Sequence, residues 1–116
     1  LQAVGDKAGI RRFGSQILPM DESLVLCSLD LCGRPYLGYD LSLDRERVGD
    51  FETEMAREFF YAISYGAMMN LHLRQMAGEN CHHILEAAFK AFGRALDAAC
   101  GFDSRIHGVL STKGTL

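Results

Sequence analysis

Residues 23–32 read S-L-V-L-C-S-L-D-L-C. Leu24, Leu26, Ser28 and Asp30 alternate with Val25, Cys27, Leu29 and Leu31, so a period of two gives one mixed face and one apolar face. A strand of this kind belongs to a sheet backed by helices on one side. Upstream, I-R-R-F-G-S-Q-I-L-P-M-D at 10–21 is also strand-like. Downstream, a G-R-P turn at 33–35 leads into Y-L-G-Y-D-L-S-L, where Leu37, Tyr39 and Leu41 alternate. The short spacing between the second and third strands predicts an antiparallel hairpin.

A charged connector, D-R-E-R-V-G-D at 44–50, separates this region from a helical one. The spacing predicts a helix from about Glu52 to Met69, with Met55, Phe59, Ala62, Ile63 and Gly66 on its apolar side. L-H-L-R-Q-M at 71–76 is a short strand, G-E-N a turn, and Asn80 a plausible N-cap. A second helix follows from about Cys81 to Ala99, its stripe formed by Leu85, Ala88, Phe89, Phe92, Leu96 and Ala99. The Gly/Ser-containing tail from Ser104 is expected to be irregular. The whole reads β-β-β-α-β-α, an α+β single domain over 1–116 with its two helices packed on one face of the sheet.

The totals narrow the function. With 116 residues, 48% hydrophobic and 23% charged, the chain supports one domain with a true core. A net charge of −3 argues against nucleic acid or an anionic membrane as a partner chosen by bulk electrostatics. No apolar run reaches the roughly eighteen residues of a membrane span. The four cysteines, Cys27, Cys32, Cys81 and Cys100, contain no C-x-x-C pair and read as free thiols of a reducing cytoplasm. The opening L-Q-A-V-G-D-K-A-G looks like the end of a helix stopped by a Gly-containing turn, which hints at preceding sequence.

The chemistry concentrates in N-C-H-H-I-L-E at 80–86. Successive helical residues differ by about 100°, so His82 and Glu86 lie about 40° apart and His83 and Glu86 about 60°, on opposite sides of the glutamate. The imidazoles diverge by about 100°, which suits two metals better than one and differs from H-E-x-x-H, where both histidines converge. Imidazole and carboxylate donors suit Mn, Fe or Zn. The alternative is a solvated helix start, although cationic histidines there oppose the macrodipole. Arg12, Arg34, Lys90 and Lys113 form a cationic set. Arg12 at a strand start and Arg34 in a turn are well placed for a bidentate phosphate clamp. Lys90 lies one turn beyond Glu86, and S-T-K-G at 111–114 offers hydroxyls and an ammonium to an anion. Each of these cations alone also reads as a solvated surface residue. Asp21 and Glu22, at a hairpin turn, are acids or bases of a site, or hairpin solubility. His72 reads as a strand histidine and His107 as a loop residue.

Taken in order, G-I-R-R-F-G-S, P-M-D-E-S-L, D-L-C-G-R-P-Y-L, R-V-G-D-F-E-T-E, L-H-L-R-Q-M-A-G-E-N-C-H-H-I-L-E and S-T-K-G resemble imidazoleglycerol-phosphate dehydratase. The resemblance implies dehydration of imidazole glycerol phosphate to imidazole acetol phosphate in histidine biosynthesis, assisted by two Mn2+ per complete active site. It implies metal ligands at His82, His83 and Glu86. It implies binding of substrate, chiefly its phosphate, by Arg12, Arg34, Lys90, Ser111, Thr112 and Lys113, and Asp21 beside the reacting centre, with Asp21 and Glu86 as the catalytic carboxylates. Where the family commonly has a further histidine ligand before F-F, this chain has Glu58. The family chain is an internal duplication with an H-H-x-x-E motif in each half, assembled as a homo-oligomeric octahedral shell. The resemblance therefore makes this chain the C-terminal repeat, with the N-terminal repeat absent and half of each site expected from a partner chain or other sequence. A repeat without its twin is the other possibility: a unit that folds, self-associates and binds metal without turnover.

Overall fold

The computed structural model describes residues 9–102 and Arg105. The elements run β1 (Phe13–Met20), β2 (Ser23–Asp30), β3 (Tyr36–Asp40), β4 (Arg47–Val48), β5 (Phe51–Glu52), α1 (Thr53–Gly66), β6 (Asn70–Ala77) and α2 (Cys81–Cys100). Four strands form one sheet in the order β1-β2-β6-β3, and β4 pairs with β5 in a small antiparallel ribbon. The α+β class holds, and so does the order of the main elements. The connector at 44–50 contributes the added β4, which pairs with β5 to form the ribbon leading into α1.

The alternation in β2 is realised as read. Val25, Cys27 and Leu29 are buried, while Leu24, Leu26, Ser28 and Asp30 are only partly covered on the opposite face. Burial alone pushes the Cys27 thiol up to about 12. Leu71 and Leu73 of β6 join the same apolar face, and both helices contribute to the core above it.

One topological expectation fails. β2 and β3 do not form a hairpin: β6 lies between them, antiparallel to β2 and parallel to β3. The reason is burial. β6 carries the buried Leu71 and Leu73, and an interior position with a strand on either side keeps them covered. A short connection shows that two strands are close in sequence, and it leaves room for a later strand to insert between them.

α1 also turns a different side to the core. Its buried residues are Ala56, Phe60 and Ser64, whereas Met55 and Phe59 are 51% and 44% exposed and only Ile63 of the expected stripe is partly buried. Both stripes keep helical spacing, so periodicity alone could not choose between them. α1 also ends at Gly66, before the expected Met69.

α2 follows its reading closely and runs to Cys100, with Ile84, Leu85, Ala87, Ala88, Ala91, Phe92, Ala95 and Ala99 buried. The run of alanines brings the helix axis close to the sheet. At Gly14 of β1 the approach is closest, since a Cβ there would sit 1.9 Å from the Ala95 carbonyl oxygen. The helix is thereby seated directly on backbone, and its two ends are fixed relative to the two ends of the β1–β2 hairpin. Among the described residues, no helix is long and apolar enough to cross a membrane.

Candidate functional site

The site starts from a turn and a cap. β1 and β2 pair in register from Phe13↔Asp30 to Met20↔Ser23, leaving Asp21 and Glu22 as the two-residue loop. Asp21 is in the left-handed region at φ 51°, a conformation that aspartate tolerates better than most residues. The register thus sends two adjacent carboxylates out at one end of the sheet. The start of α2 arrives at the same end. Asn80 caps the helix by accepting from the His83 backbone N–H at 3.1 Å, as its position suggests.

Glu22 ties the two segments together. Its Oε2 accepts from the Ser23 hydroxyl at 2.6 Å and from the backbone N–H groups of Glu79 and Asn80 at 2.9 and 3.0 Å. Its Oε1 lies 2.5 Å from His83 Nδ1. These donors, led by the Glu79 N–H, hold the Glu22 carboxyl well below the usual carboxylate range. The hydrogen bond to Glu22 in turn raises the His83 imidazole, with smaller contributions from the charges of Glu22, Asp21 and Glu86. Ser23 is 1% exposed, and Gly78 covers it at φ 137°, where a Cβ would meet the Ser23 hydroxyl at 2.5 Å.

On its other edge, His83 Nε2 lies 3.4 Å from Asp21 Oδ2, beyond ordinary N–H···O bond length. His82 is exposed on the neighbouring helical position. The two rings sit 6.2 Å apart at 71° to one another, so they diverge as the helical spacing predicts. Glu86 follows one turn later, 3.8 Å from the Lys90 ammonium. Asp21, His82, His83 and Glu86 therefore share one end of the molecule, and Lys90 reaches back towards it from midway along α2.

The remaining expected site residues lie elsewhere. Arg12 is at the far end of α2, where its backbone N–H donates to the Ala99 carbonyl at 2.9 Å. Its guanidinium grips Asp30 through Nε–Oδ1 at 2.6 Å and Nη2–Oδ2 at 3.0 Å, so in this chain the bidentate fork meets a carboxylate. Asp30 raises the Arg12 pKa. Arg34 is exposed in the loop after β2, at that same end. Arg12 meets α2 at Ala99, so about 25 Å of helix separates the histidines from it. Glu58 is on the exposed side of α1, beside Glu54, Arg57 and Tyr61. Ser111, Thr112 and Lys113, like His107 and the start of the chain, lie outside the described residues.

Two features were not foreseen. A cleft of about 420 Å³ opens beside His82, lined in part by Arg45, Arg47 and Glu79. At its wall the Cys81 thiol donates to Asp44 at 3.0 Å, and burial raises that thiol. The charged run at 44–50 was the available signal, but only the fold shows that it lies against the start of α2.

The donor types here suit a divalent ion: two imidazoles with open edges and two nearby carboxylates. Among the described residues, however, no three His, Cys, Asp or Glu side chains converge closely enough to hold one.

Residues 1–96 match the family model described as imidazoleglycerol-phosphate dehydratase. The protein of that name from Lachnoclostridium phytofermentans is 64% identical over 99% of this chain, and the one from Ruminiclostridium cellulolyticum is 56% identical over the same share. The chain spans 59% of the length of each of these curated relatives. Among solved structures, imidazoleglycerol-phosphate dehydratase from Staphylococcus aureus superposes with a TM-score of 0.85 at 42% identity, over 88% of this chain and 59% of that one. The enzyme from Pyrococcus furiosus, in complex with (S)-C348, superposes with a TM-score of 0.85 at 38% identity, over 99% of this chain and 64% of that one.

Proposed function

Since the chain belongs to the imidazoleglycerol-phosphate dehydratase family, we propose that it carries one share of the site that dehydrates imidazole glycerol phosphate to imidazole acetol phosphate in histidine biosynthesis, as the C-terminal repeat of such an enzyme. The observation that carries this reading is the single end of the molecule where Asp21, His82, His83 and Glu86 gather, with Lys90 bordering it through Glu86. In this reading His82, His83, Glu86 and Glu58 are ligands to Mn2+, two ions per complete site, and the shell is closed by residues of another repeat or copy. Bound manganese would supply Lewis acidity to the reacting centre.

The chain's own groups do the rest. Dehydration to the acetol phosphate requires the hydroxyl on the carbon beside the imidazole ring to leave and the next carbon to lose its proton. The resulting enol then takes up a proton beside the ring to become the ketone. Asp21 and Glu86 are the carboxylates that handle these protons, and both are accessible. Lys90, with Arg12, Arg34, Ser111, Thr112 and Lys113, binds substrate, chiefly its phosphate. Arg12 and Arg34 lie too far from the histidines to serve the same small molecule within one chain. They would act in the site of a neighbouring copy, which makes a homo-oligomer part of the proposal. The proposed compartment is the cytoplasm, in keeping with four free cysteines.

The test is an assay for imidazole acetol phosphate formation with added Mn2+. The chain alone is expected to be inactive and to gain activity when the other half of a family chain is added. Turnover by this chain alone would sink the claim that its site is incomplete. A second reading draws on the exposed apolar side of α1: a unit that self-associates through Met55 and Phe59 and binds Mn2+ without turnover. It predicts a concentration-dependent oligomer in sedimentation that stays inactive after the other half is supplied.

A further inference from the structure

Glu22 is no ligand in the foregoing reading, yet it is the most heavily bonded carboxylate at the histidine end. We propose that Glu22 is a positioning residue that holds His83 as the Nδ1–H tautomer, so that Nε2 is the atom His83 offers to a divalent metal. The inference rests on the reading of His83 as a metal ligand and adds the atom and the residue that selects it.

Every donor around Glu22 points the same way. Oε2 receives three hydrogens, from the nearly buried Ser23 hydroxyl and from two backbone N–H groups. Backbone N–H groups cannot reverse their role, so that oxygen is committed to accepting. Oε1 of the ionised carboxylate also only accepts, and its neighbour is His83 Nδ1. Nδ1 must therefore carry the hydrogen of a neutral imidazole, which leaves the lone pair on Nε2. Nε2 is the edge that opens beside Asp21. Histidine ligands to metals typically show this arrangement, one ring nitrogen on a carboxylate and the other free for the ion. The chain reaches it through register: the β1–β2 pairing fixes Glu22, and Glu22 grips the two residues that lead into α2.

The same geometry makes the isosteric substitution the harsher one. In Glu22→Gln, the three donors at Oε2 oblige the amide oxygen to take that position. The amide NH2 then faces Nδ1, which has to accept, and the ring hydrogen moves to Nε2. Glu22→Ala removes the instruction without reversing it. A purely structural role predicts the opposite order, with glutamine the milder change.

The test is imidazole 15N spectroscopy on the metal-free 116-residue chain and its variants, above the His83 titration, followed by Mn2+ addition. The expected nitrogen shifts show Nδ1–H in the wild type, Nε2–H in Glu22→Gln and a mixture in Glu22→Ala. Paramagnetic broadening by Mn2+ should reach both His82 and His83 in the wild type. In Glu22→Gln it should require about 10- to 100-fold more Mn2+ at His83, while His82 remains closer to wild type. An Nε2–H tautomer in the wild type, or unchanged shifts in Glu22→Gln, would overturn the inference. If Mn2+ broadens neither histidine of the wild type, the ligand reading itself falls, whatever the nitrogen shifts show. Circular dichroism on each variant separates either result from unfolding.

Discussion

The two ends of α2 carry the same kinds of groups and use them differently. At the C-terminal end, Arg12 and Asp30 satisfy each other through two hydrogen bonds, with side chains only 11% and 17% exposed. At the N-terminal end, Glu22 is fully engaged, but the groups it organises are left facing outward: His83 Nε2 towards the exposed Asp21, and His82 towards solvent. The first is an inward-turned pair, which ties strand ends together. The second is an anchored but open array, the arrangement expected where a ligand is to complete the bonding. Family membership alone would not separate these roles, because the motif residues occur at both ends.

The comparison breaks most visibly through function. His82→Ala or His83→Ala should abolish Mn2+-dependent turnover in the complemented enzyme, while His82→Ala leaves the thermal midpoint within a few degrees of wild type. The checks are the product assay and a melting curve. Retained turnover in both variants, or normal Mn2+ stoichiometry when both are replaced, would remove the histidine end from the chemistry.

A second variant tests what holds the ends in place. Gly14→Val puts a branched side chain where a Cβ already lies 1.9 Å from the Ala95 carbonyl oxygen. The backbone cannot yield as a side chain tip would, so α2 must lift from β1, at about 3 kcal/mol or more by denaturant unfolding. Lifting α2 would also part His83 from Glu22, so Mn2+ binding should weaken even where the protein remains folded. A Gly14→Val chain of wild-type stability would show that the helix seat is softer than its geometry.

At the closed end, Asp30→Ala leaves the Arg12 guanidinium mostly covered and without its carboxylate. The expected loss is about 2–3 kcal/mol in denaturant unfolding. It should come with little change in Mn2+ binding at the histidines, about 25 Å away along α2. A loss below about 0.5 kcal/mol would mean that Arg12 finds other partners easily and that this end is not a structural lock.

What the chain reveals before folding follows the same division. Local devices are legible: the alternation of β2, the Asn80 cap, the stripe of α2 and the divergence of adjacent histidines each depend on residues a few positions apart. Features made by distant segments are not. β6 enters between β2 and β3 because of the face it must bury. Met55 and Phe59 and the true core residues of α1 are equally periodic, and the sheet's position decides between them. Glu22 could be named an acid or base from its place in a turn. Its grip on His83 spans 61 positions and appears only once the hairpin end meets the helix start. Arg12 could be read from the sequence as a cation at a strand start, but its pairing with Asp30, 18 residues away at the end of the β1–β2 ladder, could not.

The smallest expected effect tests whether the open end depends on its cap. Asn80 accepts from the His83 backbone N–H, and its own N–H is held by Glu22. Asn80→Ala should cost about 1 kcal/mol, the usual worth of such a cap. The backbone bond to Glu22 survives this substitution, so the first turn of α2 should fray only partly and His83 should keep its carboxylate partner. Hydrogen exchange would then speed up at His83 N–H, the amide that loses its acceptor, and much less at Asn80 N–H. Equal acceleration at both amides would mean that Glu22 and Asn80 act as one unit, and that the histidine end is held by the helix cap as much as by the β1–β2 turn.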